Sequence, residues 1–471
     1  MTQADTRLNS TWDLDRKHFM HPWTFFDSFK QDGSLVISSA EGCYVTDASG
    51  KKYFDGLAGL WCVNIGYGRE EMVEAIAEQT RKLPFFNPFV DTTNEPAAQL
   101  AGKLAELAPG SLNHVFYSGG GSTANDTAYR LIQFYQRVRG KPEKRHIITR
   151  HESYHGSTFL AASLSGKVGD KVPEFGFLED GLHKISCPDP YRRPANMTLE
   201  AFGNFLIDEF EQKVLELGAE NVAAFFAEPV MGSGGVMLAP EGYLARIYAL
   251  CQKYDILFVA DEVVTAFGRV GHWFASKDMF GVQPDIINCA KGITSGYIPL
   301  GATIFSDEIY DVISAPGHDR YFPHGFTYSG HPVACAAALK NIEIIERESL
   351  CEHVREIGLY LNEQLATLLD LEIVGDVRGV GFMCCVENVA DKESKVLFPD
   401  EVNIAKRIAD ACEENGLIVR PVGHLNIISP PLTMTREQVD LLIGSLRKAI
   451  ITTTDVLRQE GRLETRAPAH V

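Results

Sequence analysis

Several common signatures are missing from this chain, and each absence narrows what it can be. No stretch reaches the ~18 apolar residues that a membrane-spanning helix needs. None of the ten cysteines, at 43, 62, 187, 251, 289, 335, 351, 384, 385 and 412, forms a Cys-x-x-Cys pair. Most of them sit in apolar surroundings, so they read as reduced core residues and point to a cytoplasmic setting. Basic residues are in deficit, 44 against 62 acidic, for a formal charge of −18. Such a chain repels polyanions, so neither nucleic acid nor an anionic membrane is expected as a partner. The first twenty residues mix Asp5, Asp13 and Asp15 with Arg7, Arg16 and Lys17, with no apolar stretch behind them, and no secretory signal is expected. No GxGxxG stands between a strand and a helix, and the one glycine-rich cradle lacks the lysine of a P-loop, which disfavours nucleotide binding and a nicotinamide dehydrogenase. No internal repeat and no low-complexity segment is present.

What is present is ordinary in bulk and specific in detail. Hydrophobic residues make up 45% and charged residues 23% of 471, a globular composition in a chain too long for one ordinary core. The middle alternates apolar runs with helical patterns. "VAAFFAE" (222–228) and "ILFVADE" (256–262) flank "GYLARIYALCQKYD" (242–255), and "PDIINCAK" (284–291) follows. The first three segments predict a parallel βαβ unit, with strands buried on both faces. Chemistry in such sheets lies beyond the carboxyl ends of the strands, where Glu228, Asp261 and Lys291 fall. On either side the pattern is α+β. "GCYVTDASGKKYFD" (42–55) predicts an antiparallel hairpin turning at 47–50. Helices are expected over "PVACAAALKNIEIIERE" and about 349–370, and paired strands over "EIVGDVRGVGFMCCVE"; the polar tail "RQEGRLETRAPAHV" is expected to fray.

Three local features carry chemistry. "FYSGGGSTANDTAYRLIQFY" (116–135) passes from a strand through glycines into a helix, with apolar positions 124, 128, 131, 132, 135 and 138 on one face. Glycines and the free N–H groups of a helix start can cradle a phosphate, with Gly121 and Ser122 best placed, although such a stretch is commonly only a turn. Asp261 ends an apolar strand and needs a cationic partner or a backbone to cap. A protonated pyridine nitrogen would serve, and Val263, two residues on, could pack against its ring. Lys291, the only lysine or arginine between Asp278 and Arg320, stands in the small, glycine-spaced stretch "INCAKGITSGYIPLGA". It is either an ion-paired lysine or a nucleophile whose pKa is depressed by desolvation. Cradle, carboxylate and lysine, in that order, are what pyridoxal 5'-phosphate requires.

At this point the chain resembles the class III pyridoxal phosphate-dependent aminotransferases, and within them the ω-amino acid or amine:pyruvate transaminases. The stretches that carry the resemblance are "GLAGLWCVNIGYG", "GGGSTANDT", "SYHGST", "AEPVMGSGGV", "DEVVTAFGR", "AKGITSGYIPLGA" and "HGFTYSGHPVA". It implies an α/β protein of fold type I, with a large domain (76–334) built on a mostly parallel sheet flanked by helices. A smaller α+β domain would come from residues 1–75 and 335–471. It also implies that Lys291 is the Schiff-base lysine and that Asp261 pairs with the pyridine nitrogen. Tyr154 would stack on the ring, and Gly121 and Ser122 would hold the phosphate. Glu228 and Val263 complete the cofactor set. Thr327 would reach the phosphate of a neighbouring subunit, making the active unit a homodimer, with pairing of dimers left open. Trp61, with Trp23 and Phe89, would line the substrate pocket, and Arg420 would take the carboxylate of a 2-oxo acid acceptor by bidentate recognition. His155 and Arg269 are read as structural, and no metal is called for.

The resemblance has one visible departure. Relatives commonly read Ser-Gly-Ser-Glu-Ala-Asn at the cradle, where this chain has Gly120-Gly121-Ser122-Thr123-Ala124-Asn125. The missing Glu removes a negative charge beside the phosphate site, and Thr123 can cap the helix instead. The expected activity is ping-pong transfer of an amino group to pyruvate from an ω-amino acid, an aminosulfonate or another primary amine of the β-alanine, taurine or polyamine kind. The alternative with the same cofactor is an aminomutase or racemase, which would have less use for a switchable anchor such as Arg420. A catalytically idle, cofactor-binding regulator is a third reading, and the acidic chain has no segment suited to DNA.

Overall fold

A computed structural model describes residues 3–317 and 319–463. The polar tail falls partly within them: the last helix, Arg436–Gln459, runs into it, and residues 464–471 lie outside the described residues. Strands β1 (Ile37–Glu41), β2 (Tyr44–Asp47) and β3 (Lys52–Asp55) form an antiparallel run, with Val45 opposite Tyr53 in the expected hairpin. Asp47 makes its turn: its Oδ1 accepts from the N–H groups of Ser49 and Lys51 at 2.8 and 2.9 Å. The side chain thus supplies the acceptor that a tight reversal needs.

Seven strands build the central sheet: β4 (Leu112–Ser118), β5 (His146–Arg150), β6 (Leu182–Ile185), β7 (Val222–Ala227), β8 (Leu257–Asp261), β9 (Ile286–Cys289) and β10 (Gly301–Ser306). Their order is β4-β10-β9-β8-β7-β5-β6, and β10 alone runs against the rest. Alternation explains why the strands are apolar throughout. Phe225, Phe258 and Ile287 enter one core, and Phe226, Val259 and Ile286 enter the core on the opposite face. Neither face meets water, so neither set of positions can be polar. Helix Tyr243–Lys253 supplies the crossover between β7 and β8, as the βαβ pattern predicts. Helix Gly121–Val138 buries Ala124, Ala128, Leu131, Ile132 and Tyr135, the face expected from its periodicity.

A second four-stranded sheet has the order β11-β12-β15-β14, from β11 (Val374–Val380), β12 (Met383–Asn388), β14 (Arg420–Val422) and β15 (Leu425–Ile428). The short β13 (Leu417–Ile418) leaves that sheet to pair in parallel with β3, so Leu417 stands beside Phe54. The helix expected over 349–370 is α-helical over Leu350–Ala366 and tightens to a 3₁₀ turn over Thr367–Asp370, a usual way for a helix end to satisfy its last carbonyls. Among the described residues no helix is long and apolar enough to cross a membrane.

Candidate active site

Asp261 is the last residue of β8, Glu228 follows β7 directly, and Lys291 follows β9 by two residues. These three strands are neighbours, so their carboxyl ends bring an amine and two carboxylates to one place. All three side chains line a cavity of about 580 Å³, within the usual size range of small-molecule sites. Lys291 has φ of 49°, a left-handed conformation that costs a residue with a Cβ about 1–3 kcal/mol and collects at functional sites. Burial holds its ammonium below lysine's ordinary value, with Asp261 and Glu228 pulling the other way. Burial likewise pushes the Glu228 carboxyl up. Glu228 nevertheless has work for both oxygens. Oε1 accepts from the Tyr154 N–H and Oε2 from the Gly232 N–H, each at 2.9 Å.

Asp261 is held by a chain of hydrogen bonds that its strand position alone does not announce. Its Oδ2 accepts from Asn125 Nδ2 and meets His155 Nδ1, both at 2.8 Å. Asn125 Oδ1 accepts from Asn288 Nδ2 at 2.8 Å, and Asn288 Oδ1 accepts from the Thr303 hydroxyl at 2.8 Å. All five side chains are buried. Such a buried network fixes orientation more than it adds stability, although His155 Nε2, also buried, has no hydrogen-bond partner among the described residues. Oδ1 receives a single bond, from the Val263 N–H at 3.2 Å, which leaves it capacity for a further donor. His155, read above as structural, is therefore corrected: it is part of the setting of Asp261, as is Asn125. The available signals were its place beside Tyr154 and the place of Asn125 in the first turn after the glycines.

The glycine cradle is tight. A Cβ on Gly121 would stand 2.8 Å from a Val263 methyl, and one on Gly156 would stand 2.4 Å from the Ser122 hydroxyl. Gly156, at φ 133°, also takes a conformation that suits glycine. The Ser122 hydroxyl accepts from the Ser157 N–H at 3.0 Å, and Ser157 Oγ lies 2.9 Å from the Tyr154 hydroxyl. The turn carrying Tyr154 is thereby tied to the start of helix Gly121–Val138. Thr123 behaves differently from expectation. Its hydroxyl donates to the Gly120 carbonyl at 2.9 Å, and the N-cap residue, Gly120, caps with no side chain. Among the described residues, no side chain therefore caps the first N–H groups of this helix.

The remaining expected residues divide into two sets. Trp61, Trp23, Tyr154, Val263 and Arg420 line the cavity. Trp61 is 2% exposed, and its indole lies 3.4 Å from where a Cβ on Gly232 would stand. Trp23 is 57% exposed and meets Tyr154 edge-on, with ring centroids 5.9 Å apart. Arg420 makes no side-chain hydrogen bond or ion pair among the described residues, and burial lowers its pKa. Phe89 and Thr327 are not in the cavity. Phe89 is 47% exposed, and Thr327 is exposed on the segment beside it. A Cβ on Gly325 would touch the Phe89 ring at 3.6 Å. Arg269 is structural as expected: buried, it donates to the Pro430 carbonyl and, at 2.8 Å, to Asn64 Oδ1.

The cavity suits a phosphorylated pyridine aldehyde. The uncapped helix start and the Ser122 hydroxyl offer donors to a phosphate. Asp261 has an acceptor site left for a protonated ring nitrogen, and Lys291 offers an amine freed from hydrogen-bonding partners among the described residues. The clash between Gly121 and Val263 that any Cβ would bring shows how little room is left on that side.

Comparisons with known proteins identify the family. Residues 28–450 match the family described as Aminotransferase class-III. A putrescine–pyruvate aminotransferase of Pseudomonas aeruginosa is 44% identical over 453 residues, 96% of this chain and 97% of that protein. A thermostable (S)-enantioselective omega-transaminase from Thermomicrobium roseum superposes with a TM-score of 0.92 at 42% identity, over 94% of this chain and 98% of that one. The omega transaminase of Pseudomonas jessenii, solved in complex with PMP, gives 0.92 at 37% identity, over 95% and 99%. A family match across most of the chain, and a cavity in which lysine, carboxylate and cradle meet, lead to one conclusion: this is a pyridoxal phosphate-dependent aminotransferase of class III, on the fold type I scaffold.

Proposed function

We propose that the protein transfers the amino group of a primary amine, of the polyamine, ω-amino acid or aminosulfonate kind, to pyruvate in two half-reactions on one cavity. The observation that carries this reading is the pairing, within that cavity, of the Lys291 amine with an Arg420 guanidinium that has no side-chain partner among the described residues. An amine donor without a carboxylate has no need of Arg420, and a 2-oxo acid does. The Pseudomonas aeruginosa relative, named for putrescine and pyruvate, supports the same pair of substrates.

When bound, pyridoxal phosphate supplies an aldehyde that condenses with amines and a cationic ring that accepts the electron pair left by a departing proton. The chain's own groups do the rest. Lys291 Nζ, whose basicity burial lowers, takes the proton from the amine-bearing carbon of the donor and returns one to the acceptor. Asp261, oriented by His155 and Asn125, keeps the ring nitrogen protonated. Ser122 and the helix start bind the phosphate, Tyr154 and Val263 confine the ring, and Trp61 excludes water from the substrate side.

The functional unit in this reading is a homodimer. Phe85, Phe86, Phe89, Tyr321 and Tyr328 are all exposed, and Phe85 stacks edge-on with Tyr328, so the segments carrying Phe89 and Thr327 form one apolar face. A partner seated there would bring Thr327 to its neighbour's phosphate. Ten free thiols fit a reducing, cytoplasmic setting. Alanine formation from pyruvate, measured with a panel of primary amines and the cofactor-loaded protein, tests the reaction. Absence of alanine with every amine would remove it.

A further inference from the structure

The short turn that follows β3 is bent against the preference of its own residues. Ala58, Gly59 and Trp61 have φ of 50°, 70° and 64°, and two of the three carry a Cβ. Left-handed residues of that kind persist only where their surroundings hold them. Asp55, the last residue of β3, does so. Its Oδ1 accepts from the Leu57 N–H at 3.0 Å, and its Oδ2 accepts from the Gly59 N–H and the Tyr67 hydroxyl, each at 2.6 Å. Asp55 is buried, so these three donors stand in for water. Burial and the charge of Asp55 push the Tyr67 phenol up, which keeps it a donor. The turn then builds a wall: Leu57, Leu60 and Trp61 all line the cavity that Lys291 lines. Trp61 is packed in one apolar cluster with Val230, Val236 and Met383, which leaves its indole no room to retreat. Asp55 also pairs in parallel with Ile418 of β13, two residues before Arg420. The Trp61 turn and Arg420 thus issue from the same end of two paired strands.

We propose that Asp55 is a positioning residue for donor selection: it holds the 57–61 turn in its strained form, and the Trp61 wall fixed in this way sets how large a substituent the donor can carry beside its amine. The inference rests on the amine-donor reading above and deepens it. Asp55 itself touches neither substrate nor cofactor, since it is not among the residues that line the cavity. It acts through the backbone. Two N–H groups of the turn and one phenol converge on a single carboxylate, and no neutral side chain of that size offers acceptors to all three. Without them the left-handed residues are free to relax, and the indole moves with the chain that carries it. A wall that yields discriminates less than one that does not.

Two achiral donors, 2-aminopropane and 3-aminopentane, differ only in the size of the groups beside the amine, and each is assayed with pyruvate and the holoenzyme. The wild type is expected to favour the smaller by at least about 10-fold in kcat/KM, the scale on which an apolar pocket rejects added methylenes. Asp55→Asn keeps the volume and replaces one acceptor oxygen by a donor, so this ratio should fall toward one. Tyr67→Phe removes a single donor and should lower the ratio less; it carries the same readout should Asp55→Asn misfold. A merely structural loss would slow both donors alike and leave the ratio standing. Acrylamide quenching of the Trp61 emission, taken as the difference between each holoenzyme and its Trp61→Phe form, needs no turnover. It should be weak in the wild type and stronger in Asp55→Asn. A wild type indifferent to donor size, a ratio unchanged in both variants, or unchanged quenching overturns the assignment of Asp55. Alanine from no amine at all overturns the reaction instead, and the quenching then still decides for or against Asp55.

Discussion

His155 Nδ1 and Asp261 Oδ2 stand 2.8 Å apart with both side chains buried. The imidazole thus holds the carboxylate that, in the proposed function, would pair with the ring nitrogen, and Asn125 holds it from a second direction. Replacing His155 by Ala leaves one of the two contacts. The expected result is a fall in kcat of about 10-fold and weaker cofactor retention, with KM for the donor little changed. Cofactor titration of the apoprotein, followed by absorbance, separates this outcome from simple loss of fold.

Lys291→Ala should lower alanine formation by at least about 1,000-fold, since it removes both the covalent anchor and the proton carrier. The phosphate-side contacts remain, so some cofactor should still bind. Borohydride reduction and peptide mapping of the wild type should place the label on Lys291 and on no other lysine.

Arg420→Ala should raise KM for pyruvate by about 10- to 100-fold and leave the half-reaction with a monoamine donor comparatively unaffected. Stopped-flow measurement of the two half-reactions reports them separately. Equal losses in both halves would mean that the guanidinium does not serve the acceptor alone.

Asp285 precedes β9 and accepts from the Phe258 N–H at 2.7 Å, and burial pushes its carboxyl up from 3.8 to about 6. The folded state therefore holds this proton more tightly than the unfolded chain does. That contribution to stability is complete below pH 3.8 and is lost as the pH rises through about 6. Asp285→Asn keeps the acceptor and removes the charge. It should stabilise the protein by about 1–2 kcal/mol at pH 8 and have no such effect at pH 4, as read from thermal unfolding at the two pH values.

How far the sequence was legible follows from which forces are local. β7, β8 and β9 are readable because a strand buried on both faces must be apolar along its whole length. Their ends then locate Glu228, Asp261 and Lys291 without further information. The hairpin turn at Asp47 is readable because the side chain that makes it belongs to the turn. Asn125 and His155 are not readable in this way. Their partner, Asp261, lies 136 and 106 positions away in the chain, and only the folded sheet brings the three together. Phe89 lies on the surface of one copy of the chain, so its surroundings in an assembly are not set by its own fold alone.

The parallel pairing of β3 with β13 has a consequence for how the protein comes into being. During synthesis the central sheet has all its strands once Ser306 has left the ribosome, whereas β3 must wait for a partner roughly 360 residues downstream. The nascent chain therefore passes through a stage in which Lys291 has been made and Arg420, on β14, has not. In the proposed function, the residue that anchors the cofactor is thus made well before the one that receives the keto acid.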